Sequence, residues 1–268
     1  MYMNTMQVNP KDAMALRQRT GLGIMDCKEA LAHNGSDMAK AEAWLRAKLK
    51  GKMDTRTDRP AGQGCVSVCV QPGCASIIEV RSETDFTGKN DEFRAMAQHL
   101  AKDSCEQSGE VKATAHMTAR IDEVRIKTGE NVSLGRGVCL HGGNFASYVH
   151  HDARLGVLLQ FEGALPEEIA VGICQHVAAV TPTPLAVDAS GVDADTIAQK
   201  KSEAEAEAKA SGKPEQIAAK MAEGKLRKFL EEVTLLGQPY VKDDKKSVKQ
   251  MLPEGVRILK FVRMTVGG

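Results

Sequence analysis

Between residues 193 and 232 the chain carries almost nothing from which to build a compact core. DADTIAQKKSEAEAEAKA and EQIAAKMAEGKLRKFLEE consist largely of strong helix formers, and the intervening Ser211-Gly212-Lys213-Pro214 cannot continue a helix. The segment is therefore expected to fold as a helical hairpin, a two-armed coiled coil at about 193–232. Its seam is thin. Ala204, Ala206 and Ala208 offer little apolar surface on the first arm, whereas Ile217, Met221, Leu226 and Phe229 offer more on the second. So narrow a stripe makes the hairpin a projection from a body, and the core must lie elsewhere.

With 268 residues the chain has a length prior of about two domains. Aromatic residues make up only 4%, so packing rests on Val, Leu, Ile, Met and Ala. The first part has a helical period. Asn9 is a candidate N-cap, Pro10 suits the first helical position, and KDAMALRQRT reads as a helix ended by Gly21. Asp26 and Glu29 have capping-box spacing, so a second helix is expected to open at Asp26 and to end near Asn34-Gly35. A third begins around Ser36-Asp37 and carries Met38, Ala41, Trp44, Leu45 and Leu49 on one stripe. Residues 1–50 thus read as a three-helix module, and KGKMDTRTDRPAGQ, with Gly51, Pro60 and Gly62, places a linker at 51–63.

From Cys65 the period changes to two. Residues 65–70, a Gln71-Pro72-Gly73 turn and residues 76–80 form a hairpin of β-branched strands, followed by a loop at 81–89 and a helix capped by Asn90. The same order returns with strands at 137–140, 147–149 and 155–161 and a helix from Pro166 to about Val180. The expected fold class is α+β: a core of two similar α+β subdomains with antiparallel sheets, 64–136 and 137–268. The hairpin is inserted in the second, and residues 257–266 close its sheet.

Composition and motifs exclude several kinds of chemistry. Lys and Arg number 36 against 35 Asp and Glu, so general nucleic-acid binding is not expected. No run approaches the length of a membrane span, and MYMNTMQVNPKD has neither a basic nor an apolar leader region. Seven cysteines, an odd number, read as reduced thiols, and the expectation is a cytoplasmic protein with no membrane partner. Gly21 and Gly23 follow a helix rather than a strand and no phosphate-loop motif occurs, so neither a directly bound nucleotide nor a cofactor is expected. Cys65, Cys69 and Cys74 lack zinc-ribbon spacing, and no metal is assigned to them; alternation sends Cys65 and Cys69 to one face of a strand. His150-His151 adjoins Asp152, but on a strand end the two rings point to opposite sides, and no hydrolase motif accompanies them. No catalytic residue is assigned. His99 and His176, on helices, read as core or boundary residues.

The segment SETDFTGKN at 82–90 fits none of the periodic runs. Phe86 there has two readings: a hydrophobic staple tucked beneath the following helix, or an exposed aromatic probe aimed at a pocket of a partner.

Seven blocks bear on that choice. LRQRTGLGIMDCKEAL at 16–31, ETDF at 83–86, GENV at 129–132, SYVHHDARLGVL at 147–158, QHVAA at 175–179, SGKPEQIAAKMAEGKLRKF at 211–229 and GQPYV at 237–241 together resemble bacterial elongation factor Ts, in order and over nearly the whole chain. The resemblance implies a translation elongation factor that is the guanine-nucleotide exchange factor of elongation factor Tu, binding it in GDP-bound and nucleotide-free forms without covalent catalysis. It also implies an N-terminal module similar to ubiquitin-associated (UBA) domains. Residue by residue, it carries Thr84, Asp85, Phe86 and Thr87 to the loop that enters the GTPase near its magnesium and phosphate site. It carries Arg17, Ile24, Met25 and Lys28 to the contact made by the N-terminal module, and His150 to a second contact from the core. Position 87 is Thr where the family usually has Val, which removes an apolar neighbour of Phe86. The competing reading is a scaffold or an RNA- or protein-binding module in which Phe86 is structural.

Overall fold

The computed structural model describes residues 8–210, 212 and 214–268. Ser211 and Lys213 of the expected hairpin break, and the first seven residues of the start read above, lie outside the described residues.

Three helices open the chain. In α1 (Pro10–Thr20) the Asn9 side chain accepts from Lys11 N–H at 2.9 Å, and Gly21 closes the helix in the left-handed region at φ 71°. The second, α2 (Ile24–His33), starts two residues before the expected position. Its N-cap is Gly23, so the Asp26–Glu29 capping box does not form; Ile24 packs against the module core and belongs to the first turn. Asp37 caps α3 (Met38–Asp54), and Ala13, Leu16, Cys27, Leu31, Ala41 and Leu45 fill the space between the three helices.

The expected linker is corrected at its start, because α3 runs on to Asp54 with Met53 buried. Its partners are remote in sequence. Arg125 donates to the Met53 carbonyl at 2.8 Å, and Lys50 pairs with Asp122 at 2.8 Å. The chain beyond is tied down as well: Asn131 donates to the carbonyls of Thr57 and Arg59 at 2.9 and 2.8 Å, and Arg56 to that of Gly129 at 2.8 Å.

The core begins with the hairpin of β1 (Gln63–Gln71) and β2 (Cys74–Ser82), whose two-residue loop Pro72-Gly73 uses a positive φ of 80° at Gly73. A short helix α4 (Asp85–Lys89) replaces the expected loop, and α5 (Asp91–Ser104) follows with Asn90 accepting from the N–H groups of Glu92 and Phe93. Next come β3 (Gly109–Glu110), α6 (Ala115–Thr128) and β4 (Ser133–His141). The first sheet is antiparallel in the order β1-β2-β4-β3. Thus β4 runs across the expected 136/137 boundary: pairing with β2 from Cys74↔His141 to Arg81↔Ser133 puts the 137–140 strand in the first sheet.

A second antiparallel sheet, ordered β5-β6-β9, contains β5 (Asn144–Val149), β6 (Leu155–Glu162) and β9 (Arg257–Thr265). Between β6 and β9 lie α7 (Glu167–Ala179), the hairpin of α8 (Ala194–Ala210) and α9 (Glu215–Val233), a small β7 (Pro239–Tyr240) and β8 (Asp243–Ser247) pair, and α10 (Val248–Met251).

Alternation along the strands sorts the core into layers. One face of the first sheet, with Cys65, Cys69, Ile78 and Val80, meets Phe93, Leu100 and Met117 of α5 and α6, so Cys65 and Cys69 do share a face. The other face, with Val66, Ala75 and Ile77, packs on Leu158 and Met264 of the second sheet, whose outer face is covered by Ile173 and Val177 of α7. The hairpin seam consists of Ala204, Ala208, Ala218 and Ala222 with Met221 beside them. Ala206 and Ile217 are exposed, contrary to the expected stripe. Ile217 stands one residue, about 100° of helix rotation, from the face that carries Ala218 and Ala222, so it points away from the seam. Among the described residues no helix is long and apolar enough to cross a membrane.

Candidate partner-binding site

Phe86 is 84% exposed, the most exposed of the large hydrophobic side chains among the described residues. That excludes the staple: among the described residues nothing buries it, so it has no packing role against the following helix. Thr87 is buried, so its side chain lies beneath the turn and not on the exposed surface beside Phe86. Asp85 pairs with Lys89 at 2.6 Å, and the hydrogen bond and charge of the ammonium hold its carboxyl below the usual carboxylate range.

Five residues make too short a helix to stand alone, so α4 is held from outside. Thr84 caps it by accepting from Thr87 N–H at 3.3 Å. Glu130 in turn accepts from the Thr84 hydroxyl at 2.6 Å and from Thr84 N–H at 3.1 Å. Ser82 donates to the Thr84 carbonyl at 2.9 Å, and Glu83 accepts from Asn131 N–H at 2.7 Å and pairs with Arg59 at 3.5 Å. At the far end Gly88 lies against Gly64. A Cβ on Gly88 would sit 2.9 Å from the Gly64 carbonyl oxygen, and one on Gly64 2.0 Å from that of Val80, so the contact is open only to glycine. The result is a rigid pedestal with one apolar side chain at its tip. A shallow cavity of about 550 Å³ adjoins it, lined by Gln63, Glu83, Thr84, Asp85, Phe86, Lys89 and Arg154.

Arg94 of α5 links this turn to a second one. Its guanidinium donates to the carbonyls of Gly88 and Asp152, each at 3.3 Å. The second turn, 150–153, carries His150, half-buried, with Nδ1 2.7 Å from the Tyr148 hydroxyl. The His150 and His151 rings lie 4.3 Å apart, tilted by 56°. They do not point to opposite sides, because the chain leaves β5 at Val149 and strand alternation no longer applies.

On the three-helix module Arg17, Met25 and Lys28 are exposed, Met25 by 70%, while Ile24 is half-buried against the module core. Met14, one turn before Arg17 on α1, is half exposed and was not singled out from the sequence; its signal is an apolar residue off the Ala13–Leu16 stripe. Sequence reasoning also gives no role to Glu83, Arg94, Glu130 and Asn131, whose hydrogen bonds fix the turn. The GENV block at 129–132 carries the resemblance, but the sequence gives no role to any single residue in it.

The remaining histidines are not part of this surface. His176 is fully buried; Nδ1 accepts from Val241 N–H at 3.2 Å and the other ring nitrogen meets the Gln238 side chain at 3.0 Å, and burial lowers its pKa. His99, expected at a core or boundary position, is exposed on α5.

The family model described as elongation factor TS matches residues 83–268, more than half of the chain. Elongation factor Ts of Burkholderia mallei is 38% identical over 261 residues, covering 94% of this chain and 88% of that protein. Elongation factor Ts of Psychrobacter cryohalolentis is 38% identical over 275 residues, covering 99% and 92%. The chain belongs to the elongation factor Ts family. It is a translation elongation factor, and the exposed turn with Phe86 at its tip lies inside the region that the family model matches.

Proposed function

We propose that this chain binds GDP-bound elongation factor Tu and promotes release of the nucleotide, leaving a nucleotide-free complex that GTP then breaks. The observation that carries the proposal is a phenylalanine 84% exposed on a turn whose backbone is fixed on both sides. Exposure of a large apolar group costs solubility and contributes nothing to this chain's own core, so its use lies in a pocket elsewhere.

GTPases hold GDP through backbone N–H groups around the phosphates and a magnesium ion fixed by hydroxyl and carboxylate side chains. Thr84, Asp85 and Phe86 enter beside these elements. Phe86 is the wedge, and Asp85, kept ionised by Lys89, brings a negative charge near a site built for phosphate. Fully burying a phenylalanine side chain is worth roughly 1.5–3 kcal/mol, about one to two decades of affinity. The rest of the coupling comes from a wider contact: Arg17, Met25 and Lys28 on the module, with Ile24 behind them, grip a helix of the GTPase, and His150 supplies a second contact next to the Phe86 turn. The module is UBA-like, the α8/α9 hairpin is the coiled coil, and the chain acts in the cytoplasm without binding nucleotide or membrane itself.

The test is stopped-flow release of a fluorescent GDP analogue from elongation factor Tu at fixed magnesium. Acceleration that grows with the concentration of this chain is expected; a rate no different from spontaneous release would overturn the proposal.

A further inference from the structure

We propose that Glu130 is a positioning residue for Phe86, acting through Thr84; this rests on the exchange reading above. The Glu130 carboxylate takes the hydroxyl proton of Thr84 on one oxygen at 2.6 Å and Thr84 N–H on the other at 3.1 Å. A hydroxyl whose proton is committed to a carboxylate has only lone pairs left to offer. One of them receives Thr87 N–H at 3.3 Å, the bond that caps α4. The relay therefore runs from Glu130 to the Thr84 rotamer and from that rotamer to the first turn of α4, where Phe86 stands.

The chemistry at position 130 is specific. Two donors converge from Thr84, so both oxygens are needed as acceptors. An amide would still accept Thr84 N–H on its oxygen, but its NH2 group would donate to the hydroxyl, which turns to accept it, so the charge-assisted O–H···carboxylate bond that fixes the Thr84 rotamer is lost. A five-residue helix has no intrinsic stability to fall back on, so its geometry follows the relay.

Position 130 also sits where two parts of the molecule meet. Glu130 follows Gly129, which closes α6 in the left-handed region at φ 71°. Its neighbour Asn131 donates its backbone N–H to Glu83 and its side chain to the carbonyls of Thr57 and Arg59. Adjacent residues thus hold the Phe86 turn and the segment leaving the three-helix module. Phe86 is presented already ordered, and docking loses less conformational freedom than it would from a free loop.

The test uses the full chain as wild type, Glu130→Ala, Phe86→Ala and the double variant, each checked for an intact fold by circular dichroism. Two readouts are taken: kcat/KM for GDP release from elongation factor Tu, and the rate of chymotryptic cleavage after Phe86. Loss of a charge-assisted hydrogen-bond pair is expected to lower kcat/KM about tenfold in Glu130→Ala. In the Phe86→Ala background the same change is expected to cost less than about twofold, since Glu130 has no wedge left to position. Cleavage after Phe86 is expected to rise about tenfold in Glu130→Ala. Thr84→Val, which removes the hydroxyl from the other side of the relay, reproduces these effects and serves if Glu130→Ala does not fold. Losses that multiply in the double variant, or exchange and cleavage both at wild-type rates, overturn the proposal. Failure of the wild-type chain to accelerate release would count against the exchange reading instead, and the cleavage rates would then decide the clamp on their own.

Discussion

Replacing Phe86 by alanine separates the contribution of this side chain to its own fold from its contribution to a partner. Its 84% exposure means that folding hides about one sixth of it. Of the roughly 1.5–3 kcal/mol that full burial of a phenylalanine provides, about 0.2–0.5 kcal/mol is therefore realised in the free chain. At about 2–4 °C per kcal/mol for a protein of this size, the melting temperature should move by no more than about 2 °C. Docking realises the remainder, about 1.3–2.5 kcal/mol, so kcat/KM for GDP release should fall about ten- to seventyfold. Differential scanning calorimetry and stopped-flow release on the same samples measure both. A melting temperature lowered by ten degrees, or exchange unaffected by the substitution, would refute the reasoning from opposite directions.

Met25→Ala should leave thermal stability unchanged and weaken the complex with elongation factor Tu about tenfold by titration calorimetry, since Met25 is 70% exposed. Ile24→Ala should also lower stability, because Ile24 packs on the module core. Burial lowers the pKa of His176 in the folded chain, so the unfolded chain takes up the proton first. The stability this neutral histidine contributes is complete above about pH 6.5 and is lost as pH falls below it, at up to about 1.4 kcal/mol per pH unit until the folded pKa is reached. Denaturant melts between pH 7.5 and 5 should show this slope, and His176→Gln should reduce it.

What the sequence made legible was governed by local rules. The β1/β2 hairpin needed only period two and Pro72-Gly73, the α1 and α5 caps only Asn9 and Asn90, and the closing strand β9 only its alternation. What it hid was tertiary. The α3 helix extends through Lys50 and Met53 because Asp122 and Arg125, some 70 residues on, hold it there. Helix α6 went unread although Met117, Ile121 and Val124 have helical spacing, because the charges among them, Asp122 and Arg125, look solvated and are in fact a buried pair at 2.8 Å. At the candidate site Phe86 stood out as an aromatic outside any period, but periodicity offered no choice between staple and probe. Its exposure follows from Glu130, Gly64 and Arg94, contacts that no window of sequence contains.

An exchange factor and a scaffold differ most directly in how their binding responds to nucleotide. Because binding linkage is reciprocal, the factor by which this chain weakens GDP binding equals the factor by which GDP weakens binding of this chain. Titration calorimetry of the chain into elongation factor Tu, nucleotide-free and GDP-saturated, measures that factor at equilibrium. The account predicts markedly tighter binding to the nucleotide-free form; equal affinity for both forms would contradict it.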